Sequence, residues 1–141
     1  MKPSSQRGFT IIEAMITLAI LTIAVSLAIP SYLQYVIRSN RSEAIEALLA
    51  ASACQERLLI RNNAYDADVC GGGTENGFYV VSITTSNDDQ NFVATATPQG
   101  SQVNDNCGAM TLTDTGIKTA GGETGIFARK CWAGKYADSG S

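Results

Sequence analysis

An uninterrupted apolar stretch near the N-terminus is the feature that most limits how this chain can fold. From Phe9 to Ile29 the residues are apolar or weakly polar, with one carboxylate, Glu13, among them. These 21 residues are enough for a helix to cross the hydrocarbon core of a bilayer. A carboxylate in hydrocarbon costs about 3 kcal/mol on insertion scales, so Glu13 indicates a function that the membrane segment has to serve.

The residues on either side of the stretch indicate where the chain is processed. A short polar leader, Met1–Gly8, precedes it and carries Lys2 and Arg7. A secretory signal also begins with positive charge, but its small-residue cleavage site follows the apolar stretch. The sequence after this stretch, IPSYLQYVIRSNR, contains no such site, and its helical pattern continues. A cleavage is therefore predicted in front of the apolar stretch, with Gly8 as the candidate residue.

The segment RGFTIIE resembles the prepilin signature of type IV pilins, and AIPSYLQYVIRSNRSEAIEALL downstream is also similar to that family. The resemblance implies that a membrane-embedded prepilin peptidase cuts between Gly8 and Phe9 and methylates the new N-terminal amine. Glu13 then becomes the fifth residue of the mature protein.

The same resemblance suggests a role for Glu13. Cleavage exposes an α-amino group with an ordinary pKa of about 7.7–8.0, which is mostly cationic at neutral pH. A carboxylate and an ammonium gain strongly from pairing in a low dielectric when their geometry is good. In pilins the Glu is thought to meet the amine of a neighbouring subunit and so to set the register of the filament core. The alternative is a tolerated carboxylate near the membrane edge that reaches water.

Composition excludes several functional classes. The 141 residues have room for one compact domain and a long helix. The net charge is −3, and removal of Lys2 and Arg7 with the leader leaves 8 basic against 13 acidic residues, or −5. An acidic protein argues against general, tight nucleic-acid binding, although a local basic patch stays open. The sequence contains no His and no catalytic or nucleotide-binding motif. We therefore predict that the protein is not an enzyme and that it binds no metal or cofactor.

Four cysteines lie downstream of the predicted export segment: Cys54, Cys70, Cys107 and Cys131. None forms a C-x-x-C pair, and an even number in an oxidising compartment favours two disulfides. Three connectivities are possible, and reduced core cysteines are the alternative. We predict the sequential pairing, Cys54 with Cys70 and Cys107 with Cys131. The second bridge resembles the disulfide-bounded loop that ends many pilin heads.

The pattern of apolar residues predicts an α+β fold. A helix is predicted from Phe9 to about Arg61, apolar all round in its first half and amphipathic in its second. A connecting loop follows, and strands are predicted at 78–84, 91–98, 109–113 and 125–132, with another short strand within TDTGIKTAGG. The predicted architecture is a type IV pilin fold, in which the long helix packs against a small antiparallel sheet. The predicted regions are a leader (1–8), a membrane or filament-core helix (9–30) and a helix-plus-sheet head (31–141).

The leading interpretation is a structural subunit. QERLLIRNNAY and the segment from Ala94 to Ala120 resemble PilE-type minor pilins and their DNA-uptake relatives. A minor pilin would enter the inner membrane of a Gram-negative-type bacterium and then join an extracellular pilus. Its partners would be prepilin peptidase and other pilin subunits. A pseudopilin of a type II secretion system is an alternative with the same N-terminal signature.

A second interpretation is a pilin that captures DNA. Past Arg61, all basic residues lie within 118–135, and an aromatic residue lies among them. Basic groups with an interleaved aromatic suit phosphate contact and base stacking. The alternative is a solvated basic edge that meets an acidic neighbour in the fibre. The candidate DNA-binding residues are Lys118, Arg129, Lys130, Trp132 and Lys135.

Overall fold

Residues 8–136 are described by a computed structural model of the chain. Contacts divide the chain into two units, one ending at Leu33 and the other beginning at Gln34. The described elements are, in chain order, α1 (Ile11–Asn62), β1 (Gly72–Gly73), β2 (Tyr79–Ser86), β3 (Asn91–Pro98), a short 3₁₀ helix (Gly100–Asn104), β4 (Met110–Thr113), β5 (Lys118–Ala120) and α2 (Gly125–Trp132).

The first unit contains the apolar part of α1. The helix begins where the Oγ1 atom of Thr10 accepts a hydrogen bond from the Glu13 amide at 3.3 Å. By length and composition, an 18-residue window of α1 with a mean hydropathy of 2.3 could cross a membrane. Its hydroxyl groups donate to carbonyls three residues earlier, at 2.7 to 2.9 Å, so they need no outside partner. The hydroxyl donors are Thr17, Thr22 and Ser26.

In the second unit, α1 buries one face against the sheet. The buried positions recur every three or four residues, which confirms the predicted amphipathic pattern. Two of them, Arg41 and Gln55, are polar, and the apolar pattern did not predict their burial. The buried residues of the helix are Arg41, Ala44, Leu48, Ala51, Gln55 and Leu58.

The second unit also contains a five-stranded antiparallel sheet whose strands follow chain order, from β1 at one edge to β5 at the other. The predicted strands at 78–84, 91–98 and 109–113 are confirmed as β2, β3 and β4, and the predicted short strand is β5. Alternate β3 residues, Phe92, Ala94 and Ala96, are buried against the helix as predicted. The residue before β1, Gly71, has to be a glycine, because a Cβ there would lie only 2.8 Å from the carbonyl oxygen of Val81.

The predicted strand at 125–132 is wrong, because Gly125–Trp132 is the helix α2. Ile126 and Phe127 are typical of strands, but the buried residues of this segment are Ala128 and Cys131. A spacing of three places both side chains on one face of a helix, whereas successive residues of a strand alternate between faces. Burial of this helical face and the bridge from Cys131 to Cys107 decide the local structure over strand propensity.

Candidate functional site

The predicted processing site lies just ahead of α1. Gly8 and Phe9 precede the first helical residue, and the Phe9 side chain is 86% exposed. Glu13 lies in the first turn, where a negative charge is favoured by the helix dipole. Lys2 and Arg7 of the predicted leader lie outside the described residues.

The structure contains two disulfides with the sequential pairing. Cys54 pairs with Cys70 and ties α1 to the connection that follows it. Cys107 pairs with Cys131 and ties the β3–β4 connection to α2. The first bridge is half-buried and the second is fully buried. The second therefore fixes the position of the helix that carries most of the predicted DNA-binding residues.

The connection between β5 and α2 brings part of the predicted basic cluster together. Gly121 and Gly122 have positive φ values of 56° and 81°, which glycine adopts without strain. The chain turns there, and α2 packs beside β5. The Nε1–H group of Trp132 donates to the Thr119 carbonyl oxygen at 2.9 Å, which joins the end of α2 to the sheet.

Lys118, Arg129 and Trp132 line one open depression of about 570 Å³, whose remaining lining residues are Gly116, Gly125 and Ala133. The Nζ atom of Lys118 lies over the Trp132 ring, 4.8 Å from its centroid. Both cationic side chains are exposed, and in the described part of the chain neither belongs to an ion pair. Among the described residues, the depression therefore offers an anionic ligand two cations that have no ion-pair partner.

The other two predicted residues do not line this depression. Lys130 is exposed on α2 next to Arg129, and successive residues of a helix point in directions about 100° apart. Lys135 is exposed beyond the end of α2. Its backbone N–H donates to the Lys130 carbonyl oxygen at 2.9 Å, which closes the chain after the helix. Three of the five predicted residues therefore form the candidate site.

A buried polar network was missed from the sequence. The Arg41 guanidinium donates to both carboxylate oxygens of Asp105, at 2.8 and 2.5 Å, and this is the one ion pair within residues 8–136. Asp105 also accepts from the Cys107 amide at 3.0 Å. Gln102 donates to the Tyr79 hydroxyl at 3.0 Å and to a backbone carbonyl of α1. A signal was available, since Arg41 precedes Leu48 by seven residues on the apolar face.

Two of the shifted pKa values of the head, those of Tyr79 and Glu43, mark contacts between its elements. Burial raises the pKa of Tyr79 to about 12. Burial also acts to raise the pKa of Glu43, but hydrogen bonds from Thr74, Asn76 and the Phe78 amide outweigh it and lower that pKa. Glu43 accepts from Asn76 at 2.8 and 3.1 Å, which links α1 to the turn before β2. These groups hold the head together and lie apart from the basic depression.

Comparison with protein families finds two adjoining matches, which together cover residues 3–111. Residues 3–29 match a model described as a prokaryotic N-terminal methylation motif. Residues 30–111 match a model described as type IV minor pilin ComP, DNA uptake sequence receptor. The second match ends before Lys118, so the residues of the depression lie outside it.

Similar proteins are fimbrial. Fimbrial protein EcpC of Eikenella corrodens is 37% identical over 101 residues, which cover 70% of this chain and 66% of that protein. A fimbrial protein of Dichelobacter nodosus is 32% identical over 121 residues, covering 79% of this chain and 72% of that protein. Type IV major pilin protein PilE of Neisseria gonorrhoeae is 32% identical over 104 residues, covering 70% of this chain and 60% of that protein. The chain thus spans just under two thirds of EcpC and less of PilE.

A solved structure has the same fold. A type IV pilin from Shewanella oneidensis superposes with a TM-score of 0.51 at 26% identity, covering 63% of this chain and 97% of that chain. Type IV pilins are structural proteins that assemble with other pilin subunits into filaments. From the match over residues 30–111 and these relatives, the chain belongs to the type IV pilin family.

Proposed function

We propose that this chain is a minor pilin, matured at its N-terminus and then built into an extracellular type IV pilus. Prepilin peptidase cuts between Gly8 and Phe9 and methylates the Phe9 amine. Residues 9–30 hold the subunit in the inner membrane and later enter the filament core, while residues 31–141 form the head. The methylation-motif match over residues 3–29 and the exposed position of Phe9 ahead of α1 support this proposal.

Glu13 is proposed to pair with the N-terminal amine of a neighbouring subunit during assembly. Its place in the first turn of α1, five positions into the mature chain, supports the proposal. Glu13→Ala removes a charge from the bilayer, so membrane insertion is retained while entry into fibres falls. Glu13→Gln is the matched control, because it removes the charge and keeps the size of the side chain. Normal incorporation of both variants beside wild-type subunits would contradict the pairing.

Maturation is tested by the intact mass of protein taken from membranes and from fibres. The expected mass lacks Met1–Gly8 and includes one added methyl group. A mature chain that begins after Pro30 would contradict the pilin maturation proposed here, because it would lack the whole apolar segment.

The head is further proposed to capture DNA through the depression between β5 and α2. The observation that carries this proposal is the meeting of Lys118 and Arg129 at one open surface without acidic partners in the described residues. Arg can bind a phosphate through two N–H groups, and Lys binds it as a point charge. The match of residues 30–111 to a family described as a DNA uptake sequence receptor also supports it. The negative net charge of the mature chain opposes it, which confines binding to this patch.

DNA capture is tested with the mature full-length protein in detergent, by titration with double-stranded DNA over a range of salt concentrations. The slope of log K against log[salt] is about −0.9 for each phosphate contact. Arg129→Ala is expected to weaken binding and to flatten the slope by about one contact. Lys130→Ala removes the same charge next to the depression and is the matched control, with a smaller expected effect. Undetectable binding at low salt, or equal effects of the two variants, would exclude capture through this site.

A role as a building block alone is the second candidate function, since type IV pilins assemble with other subunits. In that case the basic residues meet an acidic surface in the fibre, and Lys118→Ala or Arg129→Ala impairs assembly while DNA uptake follows the amount of fibre. A pseudopilin role is less favoured, because the matching family is described as a type IV minor pilin.

A further inference from the structure

Trp132 lines the basic depression but is poorly placed to stack on a base. The ring is half-buried and packs against the hydrophobic core of the head. Lys118 covers one face of the ring, with its Nζ atom 4.8 Å from the centroid. A base would have to displace this ammonium group before it could stack on that face.

The indole has also used its single hydrogen-bond donor. The Nε1–H group donates to the Thr119 carbonyl oxygen at 2.9 Å, so it has no proton to offer a base edge or a phosphate. This bond joins the last residue of α2 to the strand that carries Lys118. The indole therefore contacts β5 twice, once through the Thr119 backbone and once through the Lys118 side chain.

The remaining wall of the depression comes from the same helix. Arg129 and Trp132 are three residues apart, so they lie on one face of α2. Lys118 faces them from β5, and all three residues line the depression. The attraction between the Lys118 ammonium group and the face of the fixed ring holds the lysine at the opening that Arg129 also lines.

We infer that Trp132 is a positioning residue, which holds Lys118 opposite Arg129 so that the depression binds backbone phosphates of DNA without base stacking. The inference rests on the proposed DNA capture and assigns its ligand chemistry at this site. Phosphate contacts fix a protein on DNA and carry no sequence information directly. Any reading of sequence by this chain must therefore come from residues outside the depression.

The first experiment needs no variant, because Trp132 is the single tryptophan of the chain. The mature full-length protein in detergent is titrated with a DNA duplex and, separately, with a single strand of the same length, while tryptophan emission is recorded. Stacking on a base quenches indole fluorescence. Emission is expected to change little at saturation with either ligand, and strong quenching by either would overturn the inference.

The second experiment compares salt slopes of variants. Trp132→Leu is expected to flatten the slope by about 0.9, one phosphate contact, because Lys118 is no longer held. Lys118→Met should lower the affinity for DNA by about the same factor as Trp132→Leu. The double variant should lose no more affinity than either single variant. Trp132→Phe keeps an aromatic face under the ammonium group and should retain most of the slope. Two results together would indicate stacking and overturn the inference. The salt slope of Trp132→Leu would be unchanged, and the loss of affinity in the double variant would equal the product of the losses in the two single variants.

Lys135→Met is the matched control, since it removes the same charge outside the depression. Thermal unfolding of each variant identifies any loss of binding caused by unfolding, and the wild-type fluorescence result stands independently of the variants. A wild-type protein that binds no DNA at low salt removes the proposed function itself. A wild-type protein that binds with strong quenching leaves DNA capture standing and removes only the positioning role.

Discussion

Two buried polar side chains on one face of α1 hold loops of the head, and they do so in opposite ways. The Arg41 anchor consists of Arg41, Asp105, Tyr79 and Gln102, and it is charged and sealed from water. The Gln55 anchor is one neutral amide that bonds the backbone of the connection after α1. Its Nε2 group donates to the carbonyls of Asp66 and Val69, and its Oε1 atom accepts from the Asp66 amide, at 2.6 to 3.0 Å.

The difference lies in what remains when one partner is lost. Loss of Asp105 leaves a guanidinium buried without its counter-charge. Loss of Gln55 leaves backbone groups of a loop whose neighbours Ala67 and Asp68 are exposed, so these groups can turn toward water. A disulfide lies beside each anchor, fully buried near Arg41 and half-buried near Gln55. We therefore expect the head to fail globally when the Arg41 anchor is broken and locally when the Gln55 anchor is broken.

The largest effect is expected from Asp105→Ala. Breaking one partner of a buried ion pair costs about 3–5 kcal/mol, because the remaining charge is left uncompensated. Denaturant unfolding of the full chain in detergent measures the change. The double variant Arg41→Met with Asp105→Leu replaces both charges by apolar groups and should recover much of the loss. A single variant within about 1 kcal/mol of wild type, in the range of exposed ion pairs, would mean that the pair is effectively exposed.

The two disulfides give the next comparison. In the chain-entropy model each closure stabilises by about 3 kcal/mol, and the difference in loop length adds only a few tenths. Burial separates them further, because Cys107 and Cys131 are fully buried and their loss also removes core packing. Cys107→Ala with Cys131→Ala should therefore lower the free energy of unfolding more than Cys54→Ala with Cys70→Ala. Equal losses would indicate that loop closure alone decides the effect.

The elements of this fold were predictable where local pattern and packing agree. The long helix and the strands β2 to β5 follow from periodicity and turn residues, and Asn91–Pro98 matches its predicted bounds. The prediction for the α2 segment failed because its apolar residues are few and favour strands. Its helical face is fixed by a bridge to Cys107, which is distant in sequence. The burial of Arg41 was not predicted from the sequence, because its partner Asp105 lies 64 residues away. The basic cluster was found by composition, but only the α2 geometry shows which of its residues meet at one depression.

A smaller and more local effect is expected from Gln55→Met, which keeps the length of the side chain and removes its hydrogen bonds. Unpaired buried backbone groups cost about 1–3 kcal/mol, and relaxation of the loop should keep the loss near the lower value. Hydrogen exchange should rise in residues 63–70 and change little in β3. Asp105→Ala is the comparison, since it should raise exchange throughout the head. A global rise in Gln55→Met would remove the distinction between the two anchors.

The smallest effect concerns Tyr79, whose hydroxyl accepts from Gln102 and donates to Asp105 at 3.4 Å. Burial raises its pKa to about 12 from the ordinary 10.0, so the folded chain retains this proton at pH values where the unfolded chain releases it. The stabilisation is therefore complete below pH 10 and is lost as pH rises from 10 toward 12.

Tyr79→Phe should cost about 1 kcal/mol at neutral pH, the net value of one neutral hydrogen bond. The variant should also show a shallower loss of stability in that alkaline range, measured by denaturant unfolding at several pH values. Tyr32→Phe, on the exposed part of α1, is the control for tyrosine titration in general. Identical alkaline slopes for wild type and Tyr79→Phe would show that the Tyr79 hydroxyl meets water, and the Arg41 anchor would then be open at this edge.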